Sequence, residues 1–331
     1  MQHTVAPIPC KPWSLNGLSE RLIVSHYEDH YGPAVRSLNA IRNELDSLDL
    51  ATAPAHRIRA LKREEIAALG SVYLHELYFG TLGGDGATLF TGAGRGTRIE
   101  APVATVLERS FGSMAAWRRE FMALARALSH GSGWALLMYS RGDERLFNQI
   151  TDDHAHVMID AVPVLALDMF EHAYQLDFAA NASTYIDAFM RNIDWSAVGH
   201  RLTEVSGNYV RVGAQVGDRT PPSVSVEELS IELAKRKEIQ VLDARPKHYF
   251  SRTSDMMPCA TWRDPDLIDE WSTELSPDAP VFVYCAYGYA VGCGVTEVLR
   301  ERGFDAKYIR GGLSAWYAAG GERVLKPRSE A

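Results

Sequence analysis

The chain has 331 residues, of which 46% are hydrophobic and 23% are charged. This composition is typical of a globular protein and excludes a collagen-like, coiled-coil or wholly disordered chain, and the length predicts two domains. The 34 basic side chains against 42 acidic ones give a formal charge of −8, so bulk electrostatics do not favour nucleic acid or an anionic membrane as a partner. No apolar run approaches the roughly 20 residues that span a bilayer, and no basic stretch followed by an apolar one opens the sequence. With only four cysteines and no CxxC pair, we expect a reduced, cytoplasmic protein.

The first half of the chain is predicted to be mostly helical, with a small sheet after the first helices. An apolar stripe at helical spacing predicts a helix over 19–47, and Pro33 inside it predicts a kink or a break. The other predicted elements of this half are helices over 63–82, 113–129 and 183–191 and strands over 135–140 and 162–168. Helices followed by a small sheet predict an α+β domain over 1–205.

A stretch rich in glycine and proline, 206–223, predicts a linker, because these residues interrupt periodic structure and Pro221–Pro222 stiffens a connection. From 224 to 331 strand and helix patterns alternate. This alternation predicts a second domain with an α/β fold and a parallel sheet.

Three histidines and one aspartate of the first domain form a candidate metal site. His26 and His75 lie on the apolar stripes of two different predicted helices, while Asp168 ends an apolar strand and His172 follows it by four residues. Buried imidazole and carboxylate groups need partners, and one shared ion would satisfy all four. Nitrogen and oxygen ligands without a thiolate suit Zn, Fe or Mn. A zinc hydrolase is an alternative, but it needs a general base and an open coordination position.

The same segments resemble the iron/manganese superoxide dismutase family over about 10–203. The stretches that carry the resemblance are LSERLIVSHYEDHYGPAVRSLN, GSVYLHELYFGTL, SFGSMAAWRREF with GSGWALLM, LALDMFEHAY and YIDAFMRNIDW. The resemblance implies a helical hairpin followed by an α+β domain, with one Fe or Mn ion per chain. It implies the ligands His26, His75, Asp168 and His172, and conversion of superoxide to O2 and H2O2.

The resemblance also implies roles for residues around the ligands. His30, Glu171 and Tyr174 fall on family positions that make contacts across a homodimer, so a dimer through Glu171, His172 and Tyr174 is expected. With His154, His30 is also expected to be a catalytic residue of this site. His154 lies near the family position that hydrogen-bonds metal-bound solvent, which favours Fe over Mn. His156 is a rival for that position.

Several positions depart from the family pattern. The gateway tyrosine is replaced by Ala34, a tryptophan after the aspartate ligand by Phe170, and a supporting arginine by Ala182. Ser71 stands where many iron enzymes have glutamine. Groups outside the ligand shell set potential and proton delivery, so a metal-binding relative with weak or no dismutase activity, acting as a redox or persulfide sensor, is the alternative hypothesis. A scaffold without turnover is a third.

In the second domain Cys285 follows the apolar strand PVFVY and precedes a glycine-bearing loop and a predicted helix. Loop amides and the helix dipole at such a position stabilise an anion, which predicts a reactive thiolate. A cysteine buried at the end of a strand is the alternative.

Residues of about 224–325 resemble a single-domain rhodanese, through VLDAR, MMPCATW, VYCAYGYAVG and YIRGGLSAWYAAGG. The resemblance implies that Cys285 is the nucleophile that accepts sulfane sulfur from a donor as a persulfide, with Gly288 as the loop glycine. Ala290 replaces an arginine that binds thiosulfate-type anions, so thiosulfate is expected to be a poor substrate and a phosphatase is disfavoured. Cys293 is expected to pack in the helix, with a resolving thiol as the alternative, and Cys259 replaces a family glycine.

Overall fold

The computed structural model describes residues 2–83, 101–129, 131–156, 159–206, 221–235 and 238–326. They form two compact units, the first built from Gln2 and the described residues from Pro9 onward to 206. The second contains the described residues from 221 onward together with His3–Ile8, which the sequence had placed in the first domain. Most of the predicted linker, 207–220, lies outside the described residues.

The first unit is an α+β domain, as predicted. Its described helices are α1 (Glu20–Ser25), α2 (Gly32–Ser47), α3 (Ala55–Gly80), α4 (Ala101–Phe111), α5 (Met114–Ala127), α6 (Gln175–Phe178), α7 (Ala182–Arg191) and α8 (Trp195–Val205). The strands are β1 (Trp134–Ser140), β2 (Arg145–Thr151) and β3 (Ala161–Asp168), arranged antiparallel in the order β2-β1-β3. Every residue of the central strand β1 is buried, so this strand forms the middle of the core.

The helix predicted over 19–47 is divided by a π-helical turn, His26–Tyr31, between α1 and α2. The amide of Gly32 bonds the carbonyl of Tyr27, five residues earlier. Pro33 follows at the start of α2, and its missing N–H could not have bonded a carbonyl four residues back. The irregularity predicted near Pro33 is therefore a wider turn rather than a break.

Three helices of the first unit, α4, α6 and α8, were not predicted, and α3 begins eight residues earlier than expected. A local signal exists for α8, because the Asp194 side chain accepts hydrogen bonds from the amides of Ser196 and Ala197 and so caps it. The predicted helix over 113–129 is α5, and Ser113 caps it as expected by accepting from the amide of Ala116.

The second unit has an α/β fold with a parallel sheet, as predicted. Its strands are β4 (Ser223–Val224), β5 (Gln240–Asp243), β6 (Asp255–Met256), β7 (Ala260–Trp262), β8 (Val281–Tyr284), β9 (Ala306–Ile309) and β10 (Val324–Leu325). Its described helices are α9 (Val226–Ala234), α10 (Lys247–Phe250), α11 (Ile268–Trp271), α12 (Ala290–Glu301) and α13 (Gly312–Ala318). Five strands pair in parallel in the order β4-β9-β8-β5-β7, while β6 and β10 form a separate antiparallel pair.

The core of this parallel sheet is apolar, and Leu242, Val281, Val283 and Leu299 are among its buried side chains. The helix predicted after β7 is shorter than expected, with α11 flanked by two 3-10 turns. In the described part of the chain, no helix is both long enough and apolar enough to cross a bilayer.

Candidate functional site

The two helical histidines of the predicted metal site are buried, and each is fixed by its own helix. His26 begins the π-helical turn and is fully buried. His75 lies on α3 with 2% exposure, and its Nδ1 is 2.7 Å from the carbonyl oxygen of Ser71 one turn earlier. A carbonyl oxygen only accepts hydrogen bonds, so Nδ1 of His75 donates and Nε2 presents a lone pair.

Asp168 and His172 meet the helical histidines at the end of β3. Oδ2 of Asp168 lies 3.1 Å from Nε2 of His26, 3.2 Å from Nε2 of His172 and 3.6 Å from Nε2 of His75. One ligand atom from each of the four residues lies within 4.8 Å of the other three. The other carboxylate oxygen of Asp168 accepts the amide of Phe170 at 2.8 Å, which fixes the orientation of the carboxylate.

The donor set suits a cation. Nε2 of His75 has no hydrogen-bond partner in the described structure, although it is buried and faces the Asp168 carboxylate. A lone pair aimed at a carboxylate oxygen is repelled by it unless a positive charge lies between them. Three imidazoles and one carboxylate, with no thiolate, are ligands typical of Fe, Mn or Zn.

The protonation states follow from burial and hydrogen bonding. Burial lowers the pKa of His26, and it lowers the pKa of His75 to about 3. Burial alone would raise the pKa of Asp168, but hydrogen bonds from His172 and His26 outweigh it and hold this pKa well below its ordinary value. At neutral pH the two fully buried helical histidines, His26 and His75, are therefore neutral, and Asp168 is a carboxylate anion.

His154 lies beside the cluster, whereas His156 points away from it. The His154 ring is 6.1 Å from the His75 ring and stacks on Phe170 at 4.9 Å. Its Nδ1 accepts the indole N–H of Trp134 at 2.9 Å. His156 is exposed and pairs with Asp153 at 3.0 Å, so only His154 of the two adjoins the ligands.

Gly70 allows α3 to approach His154 closely. A Cβ atom at this position would lie 1.8 Å from the backbone carbonyl oxygen of His154. Gly70, Trp134 and Tyr185 were not predicted as site residues from the sequence. A glycine inside a strongly helical pattern was the available signal for Gly70, since glycine weakens a helix and usually marks a close contact.

The backbone of Asp168 is also held in place by a hydrogen bond from Tyr185. The hydroxyl of Tyr185 donates to the backbone carbonyl of Asp168 at 2.9 Å and lies 3.3 Å from the hydroxyl of Tyr78. Both phenols are buried, and burial raises the pKa of each above its ordinary value. They remain protonated donors, which keeps the end of β3 in place.

The residues predicted at a dimer contact surround His172. The His30 ring stacks on the His172 ring with their centroids 3.8 Å apart. Burial lowers the pKa of His30 to about 4, so this ring is neutral at pH 7. Glu171 is exposed, while Tyr174 is buried and packs against Tyr185 at 5.2 Å.

Tyr31, three residues before Ala34, lies near the His75 ring. The hydroxyl of Tyr31 donates to Glu76 at 2.8 Å, and its ring lies 6.4 Å from the His75 ring. Phe170, in place of the family tryptophan, contacts both His154 and His172. Tyr31 and Phe170 therefore both lie against histidines of the cluster or beside it.

Cys285 occupies the loop between β8 and α12 at the carboxyl edge of the parallel sheet. It is 6% exposed, and its Sγ lies 3.9 Å from the carbonyl oxygen of Tyr289, which caps α12. The carbonyl of Cys285 itself accepts the amide of Leu313 at 2.9 Å. Ala290, the first residue of α12, places no guanidinium at that point of the loop.

Glycines let this loop lie against the start of α13. Gly288 has φ +73°, and a Cβ there would lie 2.4 Å from the amide nitrogen of Gly311. A Cβ on Gly312 would lie 2.3 Å from the carbonyl oxygen of Cys285. Both contacts are with backbone atoms, so side chains at these positions would displace the cysteine loop.

Comparisons with known proteins match both units. Residues 99–201 match the family model for iron/manganese superoxide dismutases, C-terminal domain, and residues 225–319 match the model for the rhodanese-like domain. The chain is 48% identical over 202 residues to a superoxide dismutase [Fe] of Cupriavidus metallidurans, which covers 61% of this chain and 97% of that protein.

More distant relatives align with the same part of the chain. A superoxide dismutase [Fe] of Aquifex pyrophilus is 33% identical over 205 residues, covering 60% of this chain and 91% of that protein. A superoxide dismutase [Mn] 2 of Halobacterium salinarum is 29% identical over 210 residues, covering 60% of this chain and 95% of that protein. Iron and manganese proteins are therefore both among the relatives of the first unit.

Proposed function

The chain belongs to the iron/manganese superoxide dismutase family, and we propose that it converts two superoxide anions and two protons to O2 and H2O2. The ligands proposed for one Fe or Mn ion are His26, His75, Asp168 and His172. The observation that carries this proposal is the buried, unpartnered lone pair of His75 beside the Asp168 carboxylate. The bound ion would supply one-electron transfer to and from superoxide.

The chain contributes ligand orientation and charge. The Ser71 carbonyl holds the proton of His75 on Nδ1, so that Nε2 stays available as a ligand atom. The Phe170 amide and the Tyr185 hydroxyl fix Asp168 from two sides. The single carboxylate charge in a buried site favours the higher oxidation state of an ion, which sets the balance between the two half-reactions.

Dismutation consumes protons, and His154 is the proposed group that hydrogen-bonds solvent near the ligands. Its Nδ1 accepts from Trp134, so its proton is on Nε2, where it can donate. His154 also favours Fe as the resident ion, and the 48% identical relative is named an iron enzyme. We propose Fe on these two grounds.

Metal analysis and a superoxide assay on the same preparations test the first proposal. His75→Ala should lose bound metal and dismutase activity together, because it removes one of four ligands. His156→Ala is the matched control, since this exposed histidine pairs only with Asp153 in the described structure, and it should keep both. Loss of metal without loss of activity would reject the proposal, and a metal-loaded wild type without activity would support the sensor alternative.

A homodimer through Glu171, His172 and Tyr174, with His30 beside the contact, is also proposed. The exposed position of Glu171 next to the ligand His172 supports it, because that side chain could reach a second copy. At micromolar concentration the wild type should sediment as a dimer, and Glu171→Ala should sediment closer to a monomer. A wild type that sediments as a monomer would reject this contact. The cytoplasmic location remains a prediction.

For the second unit we propose sulfur transfer through a persulfide on Cys285. The position of its thiol in a loop between β8 and α12, at the carboxyl edge of a parallel sheet, supports this role. Cyanide added after a sulfane-sulfur donor should release thiocyanate from wild type and not from Cys285→Ser. Because Ala290 supplies no cation, a persulfide donor should load the cysteine better than thiosulfate. Equal release from the two proteins would reject a role for Cys285.

A further inference from the structure

The segment His3–Ile8 belongs to the second unit although more than two hundred residues separate it from that unit in sequence. The amide of Val5 donates to a carboxylate oxygen of Glu227 on α9 at 3.0 Å. The hydroxyl of Tyr289 donates to the carbonyl oxygen of Ile8 at 2.5 Å. Val5 and Ile8 are both buried. The segment is therefore fixed near its middle and at its last residue by hydrogen bonds to the rest of the second unit.

One of these bonds reaches the cysteine loop directly. Tyr289 ends that loop, and its backbone carbonyl lies 3.9 Å from Sγ of Cys285 and accepts the amide of Cys293. A hydrogen bond that holds the Tyr289 side chain therefore also restrains the residue that contacts the thiol. The phenol ring acts as a short connection between Ile8 and Cys285.

A second contact reaches the loop through the start of α13. The Cα of Pro7 lies 3.4 Å from the place that a Cβ on Gly311 would occupy. The amide nitrogen of Gly311 is in turn 2.4 Å from the corresponding place on Gly288, within the loop. The segment thus packs against the same backbone that supports the loop from its other side.

We propose that His3–Ile8 is a positioning segment of the Cys285 site, which keeps the loop closed over a thiol that is 6% exposed. Release of the segment opens the loop and admits reagents and donors to Cys285. This inference adds regulation to the proposed sulfur-transfer site and rests on that proposal for its biological meaning. The structural claim itself concerns only access to the thiol.

Rates of alkylation by iodoacetamide, measured for each cysteine by peptide mass spectrometry on the folded full chain, test the proposal. In a variant without residues 2–8, iodoacetamide should alkylate Cys285 at least threefold faster than in wild type. The double variant Tyr289→Phe, Glu227→Ala removes the hydroxyl and the carboxylate that hydrogen-bond Ile8 and Val5 of the segment, and it should raise the rate at least twofold. Lys11→Ala, an exposed change just outside the segment, should leave the rate unchanged, and the exposed Cys259 is the internal reference.

Adding the segment back as a free peptide distinguishes positioning of the Cys285 loop from a general loosening of the fold. A synthetic peptide of residues 2–8 at millimolar concentration should restore slow labelling of Cys285 in the shortened variant, whereas a scrambled peptide should not. Unchanged labelling of Cys285 in the double variant, or fast labelling in the shortened variant that the peptide fails to slow, would overturn the proposal. Labelling needs no sulfur transfer, so an absence of cyanide-released sulfur would reject the proposed function and leave this inference standing.

Discussion

The indole N–H of Trp134 donates to Nδ1 of His154 at 2.9 Å, at the point where β1 begins beside the ligand cluster. An indole can only donate, so His154 must accept at Nδ1 and carry its proton at Nε2. The stacking of the same ring on Phe170 fixes its plane. One hydrogen bond from the core of the sheet therefore sets which nitrogen of His154 can donate.

Trp134→Phe tests this relationship. The change keeps an aromatic ring but removes the N–H, so both tautomers of His154 become available. If one hydrogen bond worth roughly 1 kcal/mol fixes the tautomer, its loss leaves the two tautomers about equally populated, so we expect dismutase activity to fall by about twofold with bound metal unchanged. Trp13→Phe, at a side chain that is 53% exposed, should change neither quantity. Full activity in Trp134→Phe would show that the tautomer of His154 does not matter.

Gly70→Ala should disturb the same histidine from the side of α3. The added methyl group would lie 1.8 Å from the His154 carbonyl, and backbone cannot yield as a flexible side chain does. We expect a loss of about 1–3 kcal/mol in the free energy of unfolding of the first unit, together with lower activity. Gly80→Ala on the same helix meets nothing within 4 Å and should leave activity unchanged. Similar behaviour of the two variants would contradict the close approach.

Asp243→Asn should destabilise the second unit. Asp243 and Arg245 form a fully buried ion pair, with Nε of the guanidinium 2.9 and 3.0 Å from the two carboxylate oxygens. Removing one charge leaves the other buried without its counter-ion, which costs about 3–5 kcal/mol. Asp269→Asn is the matched control, because its pair with Arg302 is exposed and is worth about 0–1 kcal/mol. Denaturant unfolding followed by tryptophan fluorescence measures both.

Cys259→Gly should stabilise the second unit. Cys259 is exposed and has φ +58°, in the left-handed region where a side chain is strained and glycine is not. We expect the free energy of unfolding to rise by about 0.5–1 kcal/mol after the greater freedom of glycine in the unfolded chain is taken into account. Cys259→Ala keeps the strain and should not raise the stability. A rise of the same size in both variants would show that φ is not the cause.

The native Cys10 thiol should resist alkylation up to high pH. Burial raises its pKa from 9.0 to about 12, so at pH 9 only about one thiol in a thousand is ionised in the folded protein. Since the pKa is higher in the folded than in the unfolded state, this group stabilises the fold less as pH rises from 9 toward 12. Iodoacetamide at pH 9 should label the exposed Cys259 in native protein and Cys10 only after urea is added. Rapid native labelling of Cys10 would contradict its burial.

The cluster of four side chains could be predicted because three of its members lie on simple patterns. His26 and His75 interrupt apolar helical stripes, and Asp168 ends an apolar strand, so the buried face of each element was visible in the sequence. The structure brings these side chains together with His172. The alternation of strands and helices after residue 224 likewise predicted the parallel sheet, because neither pattern depends on distant parts of the chain.

Other features depend on contacts that the sequence does not encode locally. The place of His3–Ile8 in the second unit follows from hydrogen bonds to Glu227 and Tyr289, far along the chain. The choice between His154 and His156 depends on which ring reaches Trp134 in three dimensions. The helix α4 follows a stretch whose residues 84–100 lie outside the described part, and the sequence there gave no prediction.

The π-helical turn His26–Tyr31 affects where the chain can gain or lose a single residue. A π-helical turn holds about one residue more than an α-helical turn, so the extra residue is taken up locally and α1 and α2 keep their buried faces. Deleting the exposed Asp29 should convert this turn to α-helical geometry, whereas deleting one residue within α2 would rotate the helix on either side of the deletion by about 100°. A one-residue change of length should therefore be tolerated better in this turn than in α2.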